Sequence, residues 1–454
     1  MNINEKIFRE YDIRGIADQD LSDPVVTELG RALGTFITKK GGSTITLGRD
    51  CRLSSNRIRS ALTEGLLKAG INVIDIGLVP TPLLYFSVFE LKTDGGIMIT
   101  GSHNPAEHNG FKICVGKTTI HGAEIQEVKA LLLGNHFSCG QGSLSEMDIK
   151  PAYSQMILKS IKHPLNLKIC VDSGNGMGGM IAPELFRRLG CEVIELYSEL
   201  DGRFPNHHPD PTVIENLSDL KRKMKETGAV VGIGFDGDAD RIGVVDPSGR
   251  PIFGDELLVV YSRDILQKNK GATIISEVKA SHRLFNDIAA HGGRPILWKT
   301  GHSLIKAKMK EENALLAGEM SGHIFFNDRY FGYDDAIYAG ARLLEILSST
   351  QKTTAELISD LPNSFSTPEI RRDCPDDIKF VVVQKALKSF QSQGLRVNDI
   401  DGARVEFGDG WGLVRASNTQ PVLVLRFEAS SQKRLEEIQS SMEKTVSDLL
   451  KELR

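Results

Sequence analysis

Short β-branched runs alternate with amphipathic stretches along most of the chain. TITLGRD (44–50) is an apolar run ending in charge, which predicts a strand. NRIRSALTEGLLKAG (56–70) has helical spacing and closes on Gly70, and INVIDIG (71–77) predicts the next strand. This order implies a mainly parallel sheet covered on both faces by helices. It recurs twice. LKICVDSGNG (167–176) leads through PELFRRLG (183–190) to CEVIELY (191–197), and ATIISEVKAS (272–281) leads through a helical stretch to RPILWKTG (294–301). Three similar mixed or parallel-sheet α/β units are expected.

The pattern then changes. KFVVVQKALKSFQSQG (379–394) is helical, ARVEFGDGWGLVRAS (403–417) and VLVLRFEA (422–429) predict locally paired strands, and an amphipathic helix closes the chain. A smaller C-terminal α+β domain follows from this order. Pro, Gly and Ser gather near 150–153, 247–251 and 361–368. The expected domains are therefore 1–148, 149–250, 251–363 and 364–454.

The chain has 454 residues, 40% hydrophobic and 25% charged, with a formal net charge of −4. That balance gives no electrostatic footprint for nucleic acid or an anionic membrane. The cysteines Cys51, Cys114, Cys139, Cys170, Cys191 and Cys374 are scattered without C-x-x-C spacing, which argues against a zinc or redox motif. The opening residues carry charge and no apolar signal core, and no run has transmembrane length. The expected address is the cytoplasm.

Four loops carry candidate chemistry. TGSHNP (100–105) follows the apolar GGIMI, so Ser102 stands at a strand end, where a nucleophile or phosphate carrier belongs. An ordinary loop serine is the bland alternative. His103 is expected to face away from its neighbour. FDGDADR (235–241) follows VVGIGF. Asp236, Asp238 and Asp240 alternate, so an extended loop could aim three carboxylates one way. Such anions repel unless a cation offsets them, and hard oxygen ligands suit Mg²⁺ or Ca²⁺. A calcium-binding EF-hand is excluded, because Arg241 and Pro247 stand where that loop needs Gly and Glu. GEMSGH (318–323) offers Glu319, Ser321 and His323 for sugar hydroxyls. RASNTQP (415–421) offers Arg415, Ser417, Asn418 and Thr419 for a phosphate. Either could also be a plain polar turn.

A competing signal is Gly174, Gly176 and Gly179, which fit G-x-G-x-x-G, with Glu195 about twenty residues on. A dinucleotide site there leaves the other loops without a role. The glycines are instead expected to form a tight strand-to-helix turn.

Together with YDIRG (11–15), VPTP (79–82), NGFK (109–112), FPNHHPDP (204–211) and WKTGHSLIK (298–306), these loops resemble the α-D-phosphohexomutase superfamily over essentially the whole chain. The bacterial phosphomannomutase/phosphoglucomutase branch is the nearest match. The resemblance implies four domains around a central cleft and a phosphoserine at Ser102. It also implies one Mg²⁺ per subunit on Ser102, Asp236, Asp238 and Asp240. Glu319 and Ser321 would bind sugar hydroxyls, and Arg415, Ser417, Asn418 and Thr419 the unreacting phosphate. Tyr11, Arg14, Lys112, Arg241, Lys279, His302 and His323 would line the site. The expected substrates are mannose and glucose phosphates, with a hexose 1,6-bisphosphate as intermediate and activator. Lys112 and Arg241 are candidates for offsetting transition-state charge, and Lys112 and His323 for the general base. The protein is expected to be a monomer. Two departures stand out: Ala239 where the family commonly has Gly, and His282 where some relatives have Arg. Ala239 must avoid positive φ or accept strain. A metal-dependent phosphatase using the same serine and aspartates remains the main alternative, with a dinucleotide-dependent dehydrogenase on the Gly174 turn as the other.

Overall fold

The computed structural model describes residues 3–418 and 420–453. Its strands fall into four sheets. In the first, the strands Ile13–Ile16, His108–Val115, Gly95–Ile99, Thr44–Arg49, Asn72–Leu78 and Leu144–Glu146 lie side by side in that order. Thr44–Arg49 pairs in parallel with both its neighbours, as the βαβ pattern requires, while Ile13–Ile16 and Gly95–Ile99 run antiparallel to His108–Val115. The second sheet is ordered Pro251–Ile252, Ile242–Val245, Val231–Phe235, Lys168–Asp172, Glu192–Leu196, and the third Arg294–Trp298, Thr273–Glu277, Leu316–Gly318, Ile324–Phe326. In both, a parallel centre turns back through an antiparallel hairpin, which in the second sheet continues antiparallel into Pro251–Ile252.

Those two hairpins position candidate chemistry. Val231–Phe235 and Leu316–Gly318 are buried throughout and end in the polar loops 236–241 and 319–323. Apolar strands thereby deliver polar loops to one edge of each sheet. A continuous apolar cluster runs from Leu83 and Phe86 through Phe186 and Ile233 to Leu258 and Tyr338, so the first three domains share packing rather than merely touching.

The fourth sheet is antiparallel, built on Val422–Ala429 and Gly410–Ala416 under the helices Lys379–Ser392 and Gln432–Leu453. It is tied to the third domain by Trp411, which is fully buried against Val278. The Arg404 guanidinium lies 3.7 Å from the indole centroid and donates to the carbonyls of Val278 at 2.5 Å and Ala280 at 2.9 Å. Three α/β domains and one smaller α+β domain thus match the expected fold class. No helix among the described residues is long and apolar enough to cross a membrane.

Candidate active site

Ser102 is held by its own backbone. Buried Arg52 gathers four carbonyls of the loop: Ser102 at 2.8 Å, Asn104 at 2.6 Å, Pro105 at 2.5 Å and His108 at 3.0 Å. Asp50 pairs with Arg52 at 3.2 Å and accepts from the Gly101 amide at 3.1 Å. A guanidinium with its five donors can collect a loop this way; an ammonium has neither the reach nor the planarity. Ser102 itself has φ 49° and is buried. That left-handed conformation overturns the expectation for His103: its Nδ1 lies 3.3 Å from Ser102 Oγ. Burial, then Arg241 and Arg14, hold the His103 imidazole well below its ordinary pKa, so it is neutral.

The aspartate loop is not extended. The chain leaves Val231–Phe235, turns with the Ala239 amide donating to the Asp236 carbonyl at 3.1 Å, and returns as Ile242–Val245. Convergence of the three carboxylates therefore comes from a tight turn and not from strand alternation. Ala239 bears the strain of that turn, with φ 58°. Gly237 has a separate reason: a Cβ there would stand 2.4 Å from the Ser102 carbonyl oxygen. The two loops touch backbone to backbone.

All three aspartates are buried, with ligand atoms within 4.8 Å of one another. Asp236 Oδ2 accepts from Ser102 Oγ at 2.8 Å. Lys112 donates to Asp238 at 2.7 Å and also to Asp240, and Thr81 donates to Asp238 at 2.6 Å. One oxygen of Asp238 and one of Asp240 stay buried without a hydrogen bond. Burial, with Asp238 and Asp240 beside it, pushes the Asp236 carboxyl well above the ordinary range. Burial also opposes the Lys112 charge, but Asp238 and Asp240 outweigh it and hold the ammonium above its ordinary pKa. Three buried acids, one lysine and two unsatisfied oxygens form a donor set that fits a hard divalent cation.

A fourth buried acid, Asp334, stands behind these three. His323 Nδ1 is 3.0 Å from Asp334, and its Nε2 accepts from Arg241 Nε at 2.9 Å. The network thus assigns the His323 proton to Nδ1. Lys306 donates to Asp334 at 2.9 Å and lies 3.2 Å from His302 Nδ1. The His302 and His323 rings stack with centroids 5.6 Å apart.

The remaining candidates rim the cleft. Arg14 donates to Asn104 at 2.8 Å, beside Ser102. Tyr11 donates to the Thr300 carbonyl at 2.7 Å and accepts from Asn418 at 2.5 Å, joining three domains. Glu319 accepts from the Gly301 amide at 2.7 Å, and Ser321 is half-buried in the same loop. Arg415 pairs with Asp401 at 3.0 Å, and Asp401 also accepts from the Thr300 amide at 3.0 Å. Ser417 accepts from the Gln420 amide at 3.2 Å, and Lys279 donates to Glu369 at 3.0 Å. Thr419 lies outside the described residues. Sequence reasoning misses Arg52, Thr81, Asp334 and Lys306. Thr81 and Lys306 sit within segments that carry the family resemblance, and Arg52 follows a strand ending in charge. Asp334 gives no signal.

The Gly174 turn serves packing. Gly176 lies against Gly237, and the Met177 amide donates to the Gly237 carbonyl at 2.9 Å. A 3-10 turn, Met177–Met180, occupies the place where a phosphate-binding helix would start, and Glu195 pairs with Arg187. That turn braces the aspartate loop.

A serine hydroxyl set on buried acids, in a cleft rimmed by arginine and lysine, is arranged for phosphoryl transfer to a small polar substrate. Family models describing phosphoglucomutase/phosphomannomutase match the chain in order: α/β/α domain I over 5–137, domain II over 151–249, domain III over 253–365 and the C-terminal domain over 369–445. A phosphomannomutase/phosphoglucomutase of Pseudomonas syringae pv. tomato is 47% identical over 449 residues, covering 98% of this chain and 97% of that protein. A phosphoglucomutase of Neisseria gonorrhoeae is 46% identical over 97% of this chain and 96% of its own length. The crystal structure of a phosphoglucomutase/phosphomannomutase family protein from Burkholderia thailandensis superposes with a TM-score of 0.93 at 43% identity, covering 99% of this chain and 98% of that one. The chain belongs to the phosphoglucomutase/phosphomannomutase family of the α-D-phosphohexomutases.

Proposed function

We propose that the chain interconverts mannose 6-phosphate with mannose 1-phosphate, and glucose 6-phosphate with glucose 1-phosphate, by way of phosphorylated Ser102. The observation that carries this reading is the 2.8 Å contact of Ser102 Oγ with Asp236, inside an acid cluster that Lys112 already partly neutralises.

In the forward half-reaction a free hydroxyl of the hexose phosphate attacks the phosphorus on Ser102. A new P–O bond to the sugar forms, the P–Oγ bond breaks, and the hydroxyl proton passes to a base. The resulting hexose 1,6-bisphosphate turns over in the cleft, and its other phosphoryl group returns to Ser102. Asp236, Asp238 and Asp240, with an oxygen on Ser102, would hold one Mg²⁺. Bound there, the ion would offset charge on the transferring group and weaken the carboxylate field that keeps Lys112 protonated. Arg241 ends the same loop, where its charge would offset that of the equatorial oxygens. With its proton on Nδ1, 3.0 Å from Asp334, His323 leaves Nε2 to accept a proton once Arg241 turns to the phosphate. Glu319 and Ser321 grip sugar hydroxyls; Arg415, Ser417, Asn418 and Thr419 hold the phosphate that is not reacting. Arg14, Lys279 and His302 complete the lining. The link from Tyr11 to Thr300 and Asn418 closes the cleft and keeps water from the phosphoserine.

A monomer acting in the cytoplasm on hexose phosphates, with the bisphosphate as activator, fits this reading. Phosphorus NMR of the purified protein with Mg²⁺, a trace of glucose 1,6-bisphosphate and either 6-phosphate tests it. Appearance of the 1-phosphate is expected. Release of inorganic phosphate without isomerisation would mark a phosphatase instead.

A further inference from the structure

A cavity of about 250 Å³ lies between the helix Thr81–Glu90, the turn at 116–119 and the end of the helix His302–Glu312. Neither Ser102 nor any of the three aspartates lines it. Its walls are aromatic. Phe89 and Phe331 have ring centroids 4.8 Å apart, and the rings of Phe331 and Tyr333 are parallel within 2°. Lys117 and Lys310 are exposed at its rim, while Lys306 is buried with its ammonium 4.1 Å from the Tyr85 ring centroid. None of the described lining residues is acidic. Two lining hydroxyls, on Tyr85 and Thr119, are buried and make no hydrogen bond among the described residues.

We propose that this cavity binds a small aromatic carboxylate and that its occupancy alters turnover through Lys306. A cavity of roughly 150 Å³ suffices for benzene, so this one accommodates a single ring with an acidic arm. The aromatic walls suit the ring. A carboxylate only accepts hydrogen bonds, which matches a lining of ammonium and hydroxyl donors. Buried hydroxyls without a partner are costly to leave so, and an acceptor at their level relieves that cost. The pathway to the active site is short. Lys306 donates to Asp334 at 2.9 Å, Asp334 lies 3.0 Å from His323, and His323 accepts from Arg241 at 2.9 Å. An anion that shares Lys306 loosens its hold on Asp334, and with it the set of the His323 ring.

The test uses the full-length chain with Mg²⁺ and 3-phenylpropionate as probe, with 3-phenylpropionamide as the uncharged control. Saturable binding by ligand-observed NMR is expected, about tenfold weaker for the amide. Lys117→Glu/Lys310→Glu should weaken probe binding by about tenfold or more while leaving turnover without probe unchanged, since both residues stand at the rim. Saturating probe should change kcat of the wild type by at least about twofold, with a smaller change in KM. No saturable binding, or equal binding of acid and amide, overturns the site. Binding that leaves kcat unchanged overturns the coupling through Lys306. The binding arm stands whether or not the hexose phosphates prove to be the substrates.

Discussion

Ser102 Oγ and Asp236 Oδ2, 134 residues apart, meet at 2.8 Å because nothing but backbone separates their loops at Gly237. The serine and the acid cluster are one construction. Ser102→Ala should therefore lower kcat by at least about 10³-fold, as expected for a lost covalent carrier, while a thermal melt stays close to wild type. Gly237→Ala should act differently. Its methyl group pushes on the Ser102 carbonyl, so kcat falls by about 10²-fold through misplacement alone, with the serine still present. Initial rates and melts on both variants check this; a fully active Ser102→Ala protein would sink the mechanism.

Lys112 occupies the charge position that a cation would share. Lys112→Met leaves Asp238 and Asp240 without their counter-ion, which for a buried pair costs about 3–5 kcal/mol. The loss should appear in chelator-treated protein and shrink when Mg²⁺ is added, because a ligand bound only by the folded state stabilises it by about 2.7 kcal/mol at 100 times its Kd. The variant should also bind Mg²⁺ more tightly than wild type, yet turn over less. Urea melts with and without metal, and metal titration by calorimetry, supply both readings. An equal Mg²⁺ gain in the two proteins would contradict this electrostatic role.

Much of the fold is legible in the sequence because burial imposes period. The expected strand 71–77 is found as Asn72–Leu78 and the expected helix 56–70 as Ser55–Lys68. The loops are legible because each follows a buried strand. What a linear pattern cannot show is which loops meet. Arg52 places its guanidinium on four backbone carbonyls, a role that leaves no side-chain signature. Asp334 matters only because the fold places it beside His323. His103 departs from expectation for a local reason: the positive φ of Ser102 swings adjacent side chains together, which alternation rules do not anticipate.

Ala239 accepts positive φ inside the core, at φ 58°. Such a conformation costs a non-glycine residue about 1–2 kcal/mol. Replacement by glycine relieves that, but loses about 0.8 kcal/mol of methyl burial and adds roughly 0.5–1 kcal/mol of chain entropy. Ala239→Gly should therefore change stability by less than about 1 kcal/mol. A β-branched side chain has no such balance, so Ala239→Val should cost more than about 3 kcal/mol. Urea midpoints on the two variants decide it, and tolerance of valine would refute the strain assigned here.

Asp335 adds a pH dependence. It accepts from Tyr153 at 2.7 Å and from Tyr330 at 2.5 Å, yet burial pushes its carboxyl from 3.8 up to about 6. An acid whose folded pKa is raised lends stability that is complete below the unfolded value and is lost as pH rises through the folded one. Relative to Asp335→Asn, the wild type should thus lose roughly 3 kcal/mol between pH 3.8 and about 6, at about 1.36 kcal/mol per pH unit, and little more above. Paired urea melts across that range measure the difference. A flat difference would show that the carboxyl titrates normally.

Tyr11 is the remaining lever, since one hydroxyl ties the first domain to Thr300 in the third and Asn418 in the fourth. Asp401 extends that tie by accepting from both the Thr300 amide and Arg415. Tyr11→Phe keeps the ring, with its edge contact to His302 at 6.3 Å, and removes only the link. If closure is what excludes water, the variant should lose phosphate to hydrolysis more often per turnover. Two hydrogen bonds lost from one point suggest a loss of order 1–2 kcal/mol in closure, hence roughly tenfold more inorganic phosphate per isomerisation. The variant would also need more hexose 1,6-bisphosphate to stay active, because each hydrolysis empties Ser102. Phosphorus NMR reads isomerisation and hydrolysis in one tube. An unchanged ratio of the two, alongside a reduced rate, would assign Tyr11 to substrate binding and leave water exclusion to other contacts.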